Sequence, residues 1–392
     1  MTIRPPEPLT RDQAIHELQV RAERARTWLF EHAFPLWWRA GYDRAARCFH
    51  EQIGLDGAAV HSQRRLRVQA RQTYVYALAG RLGWPGPWRE AATAGINVLL
   101  ERGLRSDGGV VHMLDASGNV SDPRRDLYNS AFVIFALSHA GMALERQDLC
   151  ERAGDLFAWI KREWAHPLGG FYEGELEPAP PRRQNPHMHL LEALLALQQA
   201  SGAPHYLEEA AAIWRLCEDR FIDPKLGALR EFFSEAWQPA EGDDGSVVEP
   251  GHEFEWTWLA KQWADAAHVA TPNVVDRIYA HAERFGVVAA SGVVFDEIGM
   301  DGAIRRATSR LWPHTERLKA NLSVFERSGD SAAAARAAQA FDVLMQYCAT
   351  PITGLWRDRL LAAGEFVQEP APASSFYHIA LSFSELIRVA AR

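Results

Sequence analysis

The sequence predicts an all-α protein folded as an (α/α)6 barrel, in which six helical hairpins form two concentric rings. Three observations lead to this fold class. Apolar residues recur at three- and four-residue spacing along most long segments. Strand-like alternation is confined to short pieces near glycines. Glycine-marked turns recur at intervals of 55, 61, 57, 65 and 62 residues, at Gly54, Gly109, Gly170, Gly227, Gly292 and Gly354.

Each interval between glycine turns has room for two helices. A unit runs from the glycine turn through a loop into an apolar helix, and then through a short connection into a second helix. In the unit that starts at Gly109, residues 109–114 and a turn at 115–119 predict a small β-hairpin. Six units give twelve helices. The clearest helical segments are 11–34, 185–200, 207–221, 253–267, 315–328 and 331–348.

A helix pair cannot bury its own apolar face, so neighbouring pairs must stack. We expect the six pairs to close into a ring, and an open solenoid is the alternative. The terminal repeats lack an obvious polar cap, which favours closure. An inner-ring helix should be apolar almost all round, and Leu127–Leu144 is, since it carries no formal charge. It contains Asn129, Ser130 and His139 and falls short of the roughly 20 apolar residues of a membrane span, so we interpret it as a buried helix.

Composition and charge narrow the class of partner. The chain has 392 residues and a formal net charge of −8, which disfavours a nucleic-acid surface because such surfaces are usually basic. Cys48, Cys150, Cys217 and Cys348 are too far apart for a CxxC pair, which favours a reducing, cytoplasmic location. The first residues have no apolar signal-peptide core. We therefore expect one catalytic domain over residues 1–392, with no membrane segment.

Polar and aromatic residues recur at a constant phase of the repeat, 15 to 25 residues after a glycine turn. Residues at one phase of a closed ring converge at one mouth, where loops are long and binding groups usually lie. Taken singly, a histidine at a helix start is usually a cap, and an arginine on a helix is usually solvated. Their recurrence in all units predicts one site. The residues are Arg71, Tyr128, Asn185, His189, His252, Glu316 and His378.

The string 249–258 is the richest in chemistry. If its helix begins near Pro250, then His252, Glu255 and Trp258 step by three along one face. A histidine and a carboxylate at this spacing fit two uses, a metal pair or a histidine tuned by its neighbour. The HExxH zinc signature is absent. Tryptophan has a broad polarizable face, so Trp258 and Trp312 are candidates for stacking on a sugar.

The remaining candidates complete a set suited to proton transfer. Pro313 suits a first helical turn, which puts Trp312 just outside the helix and Glu316 one turn in. His378 follows a Ser-Ser pair expected to cap its helix. Arg71, in an apolar helix, needs a carboxylate or a ligand oxygen. Histidine can take and give a proton near neutrality, and arginine with glutamate can hold developing negative charge. No P-loop, GxGxxG or GxSxG is present.

At these residues the sequence resembles the N-acylglucosamine 2-epimerase superfamily, which includes mannose isomerases, cellobiose 2-epimerases and a sulfoquinovose isomerase. The resemblance covers nearly the whole chain, in six pieces in order. They are Arg71-Gln-Thr-Tyr, Asp126-x-Tyr128-x-x-Ala-Phe, Asn185-Pro-x-Met-His189-x-x-Glu192-Ala, Gly251-His252-x-x-Glu255-x-x-Trp258, Trp312-Pro-x-x-Glu316-x-x-Lys-Ala and Tyr377-His378.

The resemblance implies the same barrel and a concrete reaction. It implies that His252 and His378 are the acid/base pair, supported by Arg71, Glu255 and Glu316. A histidine would aid opening of the sugar ring, His378 would take the proton from C2, and Arg71 would hold the cis-enediolate. Return of the proton to C1 gives a ketose, and return to the opposite face of C2 gives an epimer.

The resemblance implies that the ligand is a free monosaccharide. It is also compatible with a homodimer. We expect mannose–fructose isomerisation, because strings 185–189 and 374–378 look closest to bacterial mannose isomerases, with an N-acylglucosamine or other aldose 2-epimerase as the alternative. No metal and no cofactor are expected. The expected substrate-binding residues are Tyr128, Asn185, His189, Trp258 and Trp312.

Two other classes compete with this interpretation. An (α/α)6 glycoside hydrolase would use two carboxyl groups across the scissile bond, for which Glu255 and Glu316 are candidates. The histidines would then have no clear role. A non-catalytic repeat scaffold would show a large apolar outer patch and no converging ionisable groups. The constant-phase polar residues argue against the scaffold.

Overall fold

The computed structural model describes residues 10–392 and contains thirteen α-helices within them. The helices are α1 (Arg11–Thr27), α2 (Phe34–Ala40), α3 (Leu66–Arg81), α4 (Trp88–Val98), α5 (Leu127–Leu144), α6 (Gln147–Trp164), α7 (Asn185–Ser201), α8 (His205–Leu216), α9 (Pro250–Ala267), α10 (Val274–Phe285), α11 (Trp312–Ser328), α12 (Ser331–Tyr347) and α13 (Ala373–Ala390). A π-helical turn, Trp28–Ala33, joins α1 to α2. Two more, Leu99–Gly103 and Cys217–Phe221, extend α4 and α8.

The helices form two concentric rings. The inner ring is α3, α5, α7, α9, α11 and α13, and each of these contacts the next, with α13 returning to α3. The outer ring is α1, α4, α6, α8, α10 and α12. The predicted (α/α)6 barrel is therefore confirmed, and it is closed. The sixth hairpin differs from the expected pattern, because α13 takes its outer partner, α1, from the other end of the described chain.

The inner helices owe their place to their composition. Helix α5 is long and apolar enough to cross a membrane by length and composition alone, and 78% of that stretch is buried inside the structure. It begins where the Asp126 side chain accepts a hydrogen bond from the Asn129 backbone N–H at 2.9 Å. Outer helices are amphipathic, and α10 buries Val275, Ile278 and Ala282 on one face. The interpretation of Leu127–Leu144 as a buried helix agrees with this packing.

Short antiparallel strands link neighbouring units around the mouth from which the inner helices begin. The predicted hairpin after Gly109 is present, as Met113–Leu114 paired with Val120–Asp122. The pairs between units are Arg64–Arg65 with Met113–Leu114, Arg182–Arg183 with Phe232–Phe233, Val247–Val248 with Glu297–Gly299, Ser309–Arg310 with Arg359–Leu360, and Gln52–Ile53 with Ala371–Pro372. A bridge between Asp126 and Gly174 joins the second unit to the third. Tyr42–Asp43 with Cys48–Phe49, and Glu297–Gly299 with Ile304–Arg306, pair within a unit. We call the pairs that join neighbouring units, and not those within a unit, the β-collar.

Side chains of the inner helices accept hydrogen bonds from the backbone beside the glycine turns. Gly170 has φ +74, and a Cβ there would lie 2.8 Å from Nε2 of His187. That nitrogen accepts a hydrogen bond from the Phe171 backbone N–H at 2.9 Å. Two units further on, His314 accepts from the Val294 N–H at 3.1 Å in the same way. The repeat seen in the sequence is thus a repeat of turn, loop and anchoring side chain.

Most of the tryptophans belong to the core. Of 14 tryptophans, 11 are buried. Trp37 stacks on Trp356 with ring centroids 4.8 Å apart. The four cysteines are free and buried. The high tryptophan content therefore reflects packing, and Trp312, half-buried at the mouth, is the exception that matters for function.

Candidate active site

A cavity of about 230 Å³ lies at the mouth, where the inner helices begin. All six inner helices contribute to it through their first turns. Its lining comprises Arg71 of α3, Tyr128 of α5, Asn185 and His189 of α7, His252 and Glu255 of α9, Trp312 of α11, and Ser374, Ser375 and His378 of α13. Glu249, Arg310 and Asp358 from the loops complete it. The expectation of one converging site is met for these residues.

His252 is held by a glutamate from the preceding loop. Its Nδ1 lies 2.9 Å from Oε1 of Glu231, and Glu231 in turn accepts a hydrogen bond from Nε2 of Gln184 at 2.9 Å. Burial opposes a charge on this ring. The carboxylates of Glu231 and Glu249 outweigh burial and raise the pKa of His252 to about 9. His252 is therefore an imidazolium at neutral pH, with Nε2 left for the cavity.

His378 is held by a glutamate from α11. Its Nδ1 lies 2.9 Å from Oε1 of Glu316, whose other oxygen lies 2.6 Å from Nζ of Lys319. Burial lowers the pKa of His378 to about 4, and the Glu316 carboxylate offsets only part of that effect. Lys319 and His378 together hold the pKa of Glu316 below its usual range despite burial. His378 is therefore neutral, and its Nε2 lone pair can accept a proton.

Trp312 forms a wall shared by the two histidines. Its ring centroid lies 4.9 Å from that of His252 and 5.7 Å from that of His378. The guanidinium of Arg310 lies 5.4 Å from the Trp312 ring and forms ion pairs with Glu249 and Asp296. His252 and His378 thus line one cavity, and the indole ring of Trp312 packs near both of them.

Arg71 carries a positive charge that no carboxylate of the described residues neutralises through an ion pair. Its Nη2 donates to the Tyr128 hydroxyl at 2.8 Å, and its Nη1 donates to the Ser374 carbonyl at 3.2 Å. It forms no ion pair among residues 10–392, and its Nε has no hydrogen-bond partner there. The guanidinium lies 4.1 Å from the Phe132 ring centroid. A buried guanidinium with these contacts is suited to an anionic oxygen on a ligand.

The floor of the cavity is a buried cluster of carboxyl groups. Both carboxyl oxygens of Glu255 are buried without a hydrogen-bond partner in the described chain, and burial followed by the charge of Glu316 raises its pKa well above the usual value. Nδ1 of His189 lies 3.3 Å from Glu192, which accepts a hydrogen bond from the Tyr377 hydroxyl. Burial thus favours the protonated form of Glu255, in which its carboxyl group can donate a hydrogen bond to a ligand oxygen. The amide oxygen Oδ1 of Asn185 also lacks a partner.

Three sequence-based expectations need correction. Trp258 lies away from this cavity, deeper in the barrel, where its Nε1 donates to Glu385 at 3.2 Å. The expectation that it lines the same site as His252 is wrong, because six helical residues carry it about 9 Å down the axis from His252. Trp312 is the first residue of α11 rather than outside it. No serine side chain caps α13, and Ser375 donates to Asp358 at 2.7 Å instead.

The residue most clearly missed is Glu231, the partner of His252. A signal was available, because carboxylates recur three or four residues after four of the glycine turns, at Glu173, Glu231, Asp296 and Asp358. Each is buried or nearly so and anchors a side chain or backbone at the mouth. Glu316 does not line the cavity and acts on it through its contact with His378.

Three groups of side chains at this site place their ligand atoms within 4.8 Å of one another, as a cation would need. They are Glu231, Glu249 and His252; Glu255, Glu316 and His378; and His189, Glu192 and Glu255. In each group the histidine Nδ1 already shares a hydrogen bond with one of the carboxylates. The same contacts that would gather a metal therefore serve to orient and tune the imidazoles.

A closed (α/α)6 barrel whose mouth holds two histidine–glutamate pairs over one cavity has an arrangement of groups suited to proton transfer. The family model described as N-acylglucosamine 2-epimerase (GlcNAc 2-epimerase) matches residues 48–382. The chain belongs to this family. Its relatives' names indicate that it is a sugar isomerase or epimerase.

Curated relatives cover most of the chain. It is 39% identical to a mannose-6-phosphate isomerase of Rhizobium meliloti, over 94% of this chain and 97% of that protein. It is 28% identical to a D-mannose isomerase of Thermobifida fusca, over 78% and 79% of the two chains. It is 22% identical to a cellobiose 2-epimerase of Bacteroides fragilis, over 84% and 88%.

Solved structures agree on the fold. The cellobiose 2-epimerase of Bacillus thermoamylovorans superposes with a TM-score of 0.85 at 20% identity, covering 94% of this chain and 98% of that one. A family 76 α-mannanase of Bacteroides thetaiotaomicron superposes with a TM-score of 0.70 at 13% identity, covering 95% and 98%. These likenesses establish the barrel and carry no information on the reaction.

Proposed function

We propose that the protein interconverts mannose and fructose by proton transfer between C2 and C1 of the open-chain sugar. The observation that carries the proposal is the meeting over one cavity of two histidines, each held by its own glutamate. His252, with its pKa raised to about 9, is an acid, and His378, with its pKa lowered to about 4, is a base. A reaction that needs one group to give a proton and another to take one matches this division.

The reaction balances on these residues. The imidazolium of His252 donates a proton to the ring oxygen as the hemiacetal opens, and the neutral imidazole that remains takes the proton of the C1 hydroxyl, which becomes the aldehyde. Nε2 of neutral His378 then removes the proton from C2, the C1–C2 double bond forms, and the electron pair of the carbonyl moves onto O1. The guanidinium of Arg71 stabilises this enediolate. Transfer of the O2 proton to O1 and return of the carbon-bound proton to C1 complete the ketose.

The surrounding residues support the geometry of this path. The carboxyl group of Glu255 and the amide oxygen of Asn185 can hydrogen-bond sugar hydroxyls, since these polar atoms have no partner in the described chain. Trp312 offers an apolar face to the sugar between the two imidazoles. The choice of mannose as the substrate is supported by the names of two relatives, mannose-6-phosphate isomerase and D-mannose isomerase.

A 2-epimerase is the second candidate, and one observation favours it. Because His252 and His378 line the same cavity on either side of Trp312, His252 could return the proton to the opposite face of C2. The glycoside hydrolase alternative has no comparable support. Glu316 does not line the cavity, and its carboxylate is already engaged by Lys319 and His378.

The test is incubation with mannose, fructose, glucose or N-acetylglucosamine in D₂O, followed by NMR. The proposal expects fructose from mannose with deuterium at C1, and the 2-epimerase expects a C2 epimer with deuterium at C2. His378→Asn should lower turnover by about 10²- to 10⁴-fold. His268→Asn is the matched control, because His268 is an exposed histidine at the end of α9 with φ +56, a conformation that asparagine tolerates. Hexoses that emerge unchanged and unlabelled would refute both candidates.

A further inference from the structure

A second chamber of about 560 Å³ opens outward from the catalytic cavity. The two are continuous, because Arg71, Tyr128, Asn185 and Ser374 line both. The second chamber is basic, and its arginines are Arg65, Arg67, Arg71, Arg124 and Arg183. A neutral hexose positioned over the histidines has no need of such a lining. The chamber is therefore a candidate for the part of a ligand that extends beyond the reacting carbons.

Three of these arginines are already neutralised. Arg65 forms an ion pair with Glu51, Arg124 with Asp122, and Arg183 with Glu177. Two further carboxyl groups line the chamber, and both are engaged. Glu173 forms an ion pair with Arg182, and Asp126 caps α5, with its pKa raised by burial.

Arg67 is different, because it forms no ion pair in the described part of the chain. Its one hydrogen bond is a long contact from Nη1 to Oδ1 of Asn129 at 3.4 Å. Its guanidinium lies 5.2 Å from the Tyr128 ring centroid, and burial lowers its pKa. The described residues thus hold a partly desolvated cation against the chamber without an ion pair, and Asp126, whose charge acts on Arg67, is itself buried.

Arg67 and Arg71 stand one helical turn apart on α3, about 6 Å along its axis. The Tyr128 ring lies between them, 5.2 Å from one guanidinium and 5.7 Å from the other. Arg71 faces the cavity of the two histidines, and Arg67 lines only the outer chamber. The spacing suits a six-carbon sugar whose first carbons lie near Arg71 and whose last carbon lies near Arg67.

We propose that this chamber binds the phosphate of a hexose 6-phosphate, with Arg67 as its principal ligand, so that phosphorylated mannose is the preferred substrate. This inference rests on the proposed function, since it places C1 and C2 beneath the histidines. A phosphate monoester dianion supplies the missing counter-charge, and a guanidinium can bind two of its oxygens at once. Asn129 holds one edge of the fork and leaves the remaining N–H groups for the ligand.

The kinetic test compares mannose 6-phosphate with mannose in the wild type, Arg67→Gln, Arg67→Lys and Arg89→Gln. Arg89 is an exposed arginine on α4, away from both chambers, so its substitution makes the same change in net charge. In the wild type, kcat/KM should favour the phosphate ester. Arg67→Gln should lower kcat/KM for mannose 6-phosphate by about 10- to 100-fold, mainly through KM, and change that for mannose by less than about threefold. Arg67→Lys should retain part of the preference, and Arg89→Gln all of it.

Equal losses for both sugars in Arg67→Gln, or a preference that survives the substitution, would overturn the proposal. Calorimetric binding of mannose 6-phosphate, mannose and inorganic phosphate gives a readout that needs no turnover. Binding of mannose 6-phosphate that Arg67→Gln weakens, in a protein that isomerises neither sugar, would keep the anion site and refute the proposed function. Inorganic phosphate that binds as tightly as mannose 6-phosphate, or mannose 6-phosphate that does not bind, would refute the phosphosugar site.

Discussion

Replacing Glu231 by glutamine should move the basic limb of the kcat/KM profile to lower pH. Glu231 does not line the cavity, so the change leaves the lining residues in place. Glu231 makes the 2.9 Å contact with Nδ1 of His252 and is the largest of the influences that raise the His252 pKa. The pKa rises from 6.5 to about 9. A shift of this size corresponds to roughly 3 kcal/mol of preference for the imidazolium, at about 1.4 kcal/mol per unit.

Glutamine keeps the size and one hydrogen-bonding oxygen and removes the charge. The carboxylate of Glu249 remains and still opposes the effect of burial, so we expect the pKa of His252 to fall only to about 7. The acid form then declines from about 90% to about 10% of the enzyme at pH 8, and stays dominant at pH 6. Accordingly, kcat/KM in Glu231→Gln should drop about tenfold at pH 8 and little at pH 6.

The assay is kcat/KM for the aldose from pH 5 to pH 10, with ketose formation followed directly. Glu241→Gln is the control, because Glu241 is an exposed glutamate in the same inter-helix loop and its loss changes net charge equally. A basic limb that stays near pH 9 in Glu231→Gln would refute the assignment of His252 as the tuned acid. A uniform loss at every pH would show that Glu231 orients the ring and does not set its charge.

Three further predictions follow from the buried charges. Lys319→Met should lower the free energy of unfolding by about 3–5 kcal/mol in urea titrations, because it leaves Glu316 buried beside Glu255 without its cation, and a loss below 1 kcal/mol would contradict this role. The part of the stability that depends on buried, neutral histidines should be full above about pH 6.5 and fall as pH drops toward 4, by up to about 1.4 kcal/mol per pH unit for each such histidine that the unfolded chain protonates first, which urea midpoints at pH 7 and pH 5 would reveal. The histidines whose pKa burial lowers in this way are His139, His187, His189, His314 and His378. His252 acts in the opposite sense, and its contribution is lost as pH rises from 6.5 through about 9. Dialysis against EDTA should leave kcat/KM unchanged, since Glu231 and Glu316 already orient and tune the two imidazoles, and activity restored only by an added divalent ion would contradict that prediction.

The architecture was accessible from sequence because its causes are local and repeated. Proline at the start of α7, α9 and α11 marks the first helical turn, and the glycine turns fix the length of each unit. A constant phase within a closed ring then brings distant residues together, which is how His252 and His378 could be expected at one mouth. The prediction that the ring closes rested on one argument, the lack of an obvious polar cap on the terminal repeats.

The partners of the catalytic residues were not accessible in the same way. Spacing along α9 pointed to Glu255 as the neighbour of His252, whereas the contact comes from Glu231 in the loop before the helix. Trp258 follows His252 by six residues, which places it about 120° around the helix and about 9 Å deeper, so it lies outside the cavity. The loop before α9 decides the first point, and the geometry of α9 decides the second.

The packing of α1 against α13 leaves the barrel without a free end. In a linear stack of helical hairpins, the outermost hairpin can detach while the rest stays folded. Here any detachment must open two seams at once, and one of them carries His378. The histidine proposed as the proton acceptor therefore lies at the seam that closes the ring, and loosening that seam should abolish activity before any helix unfolds.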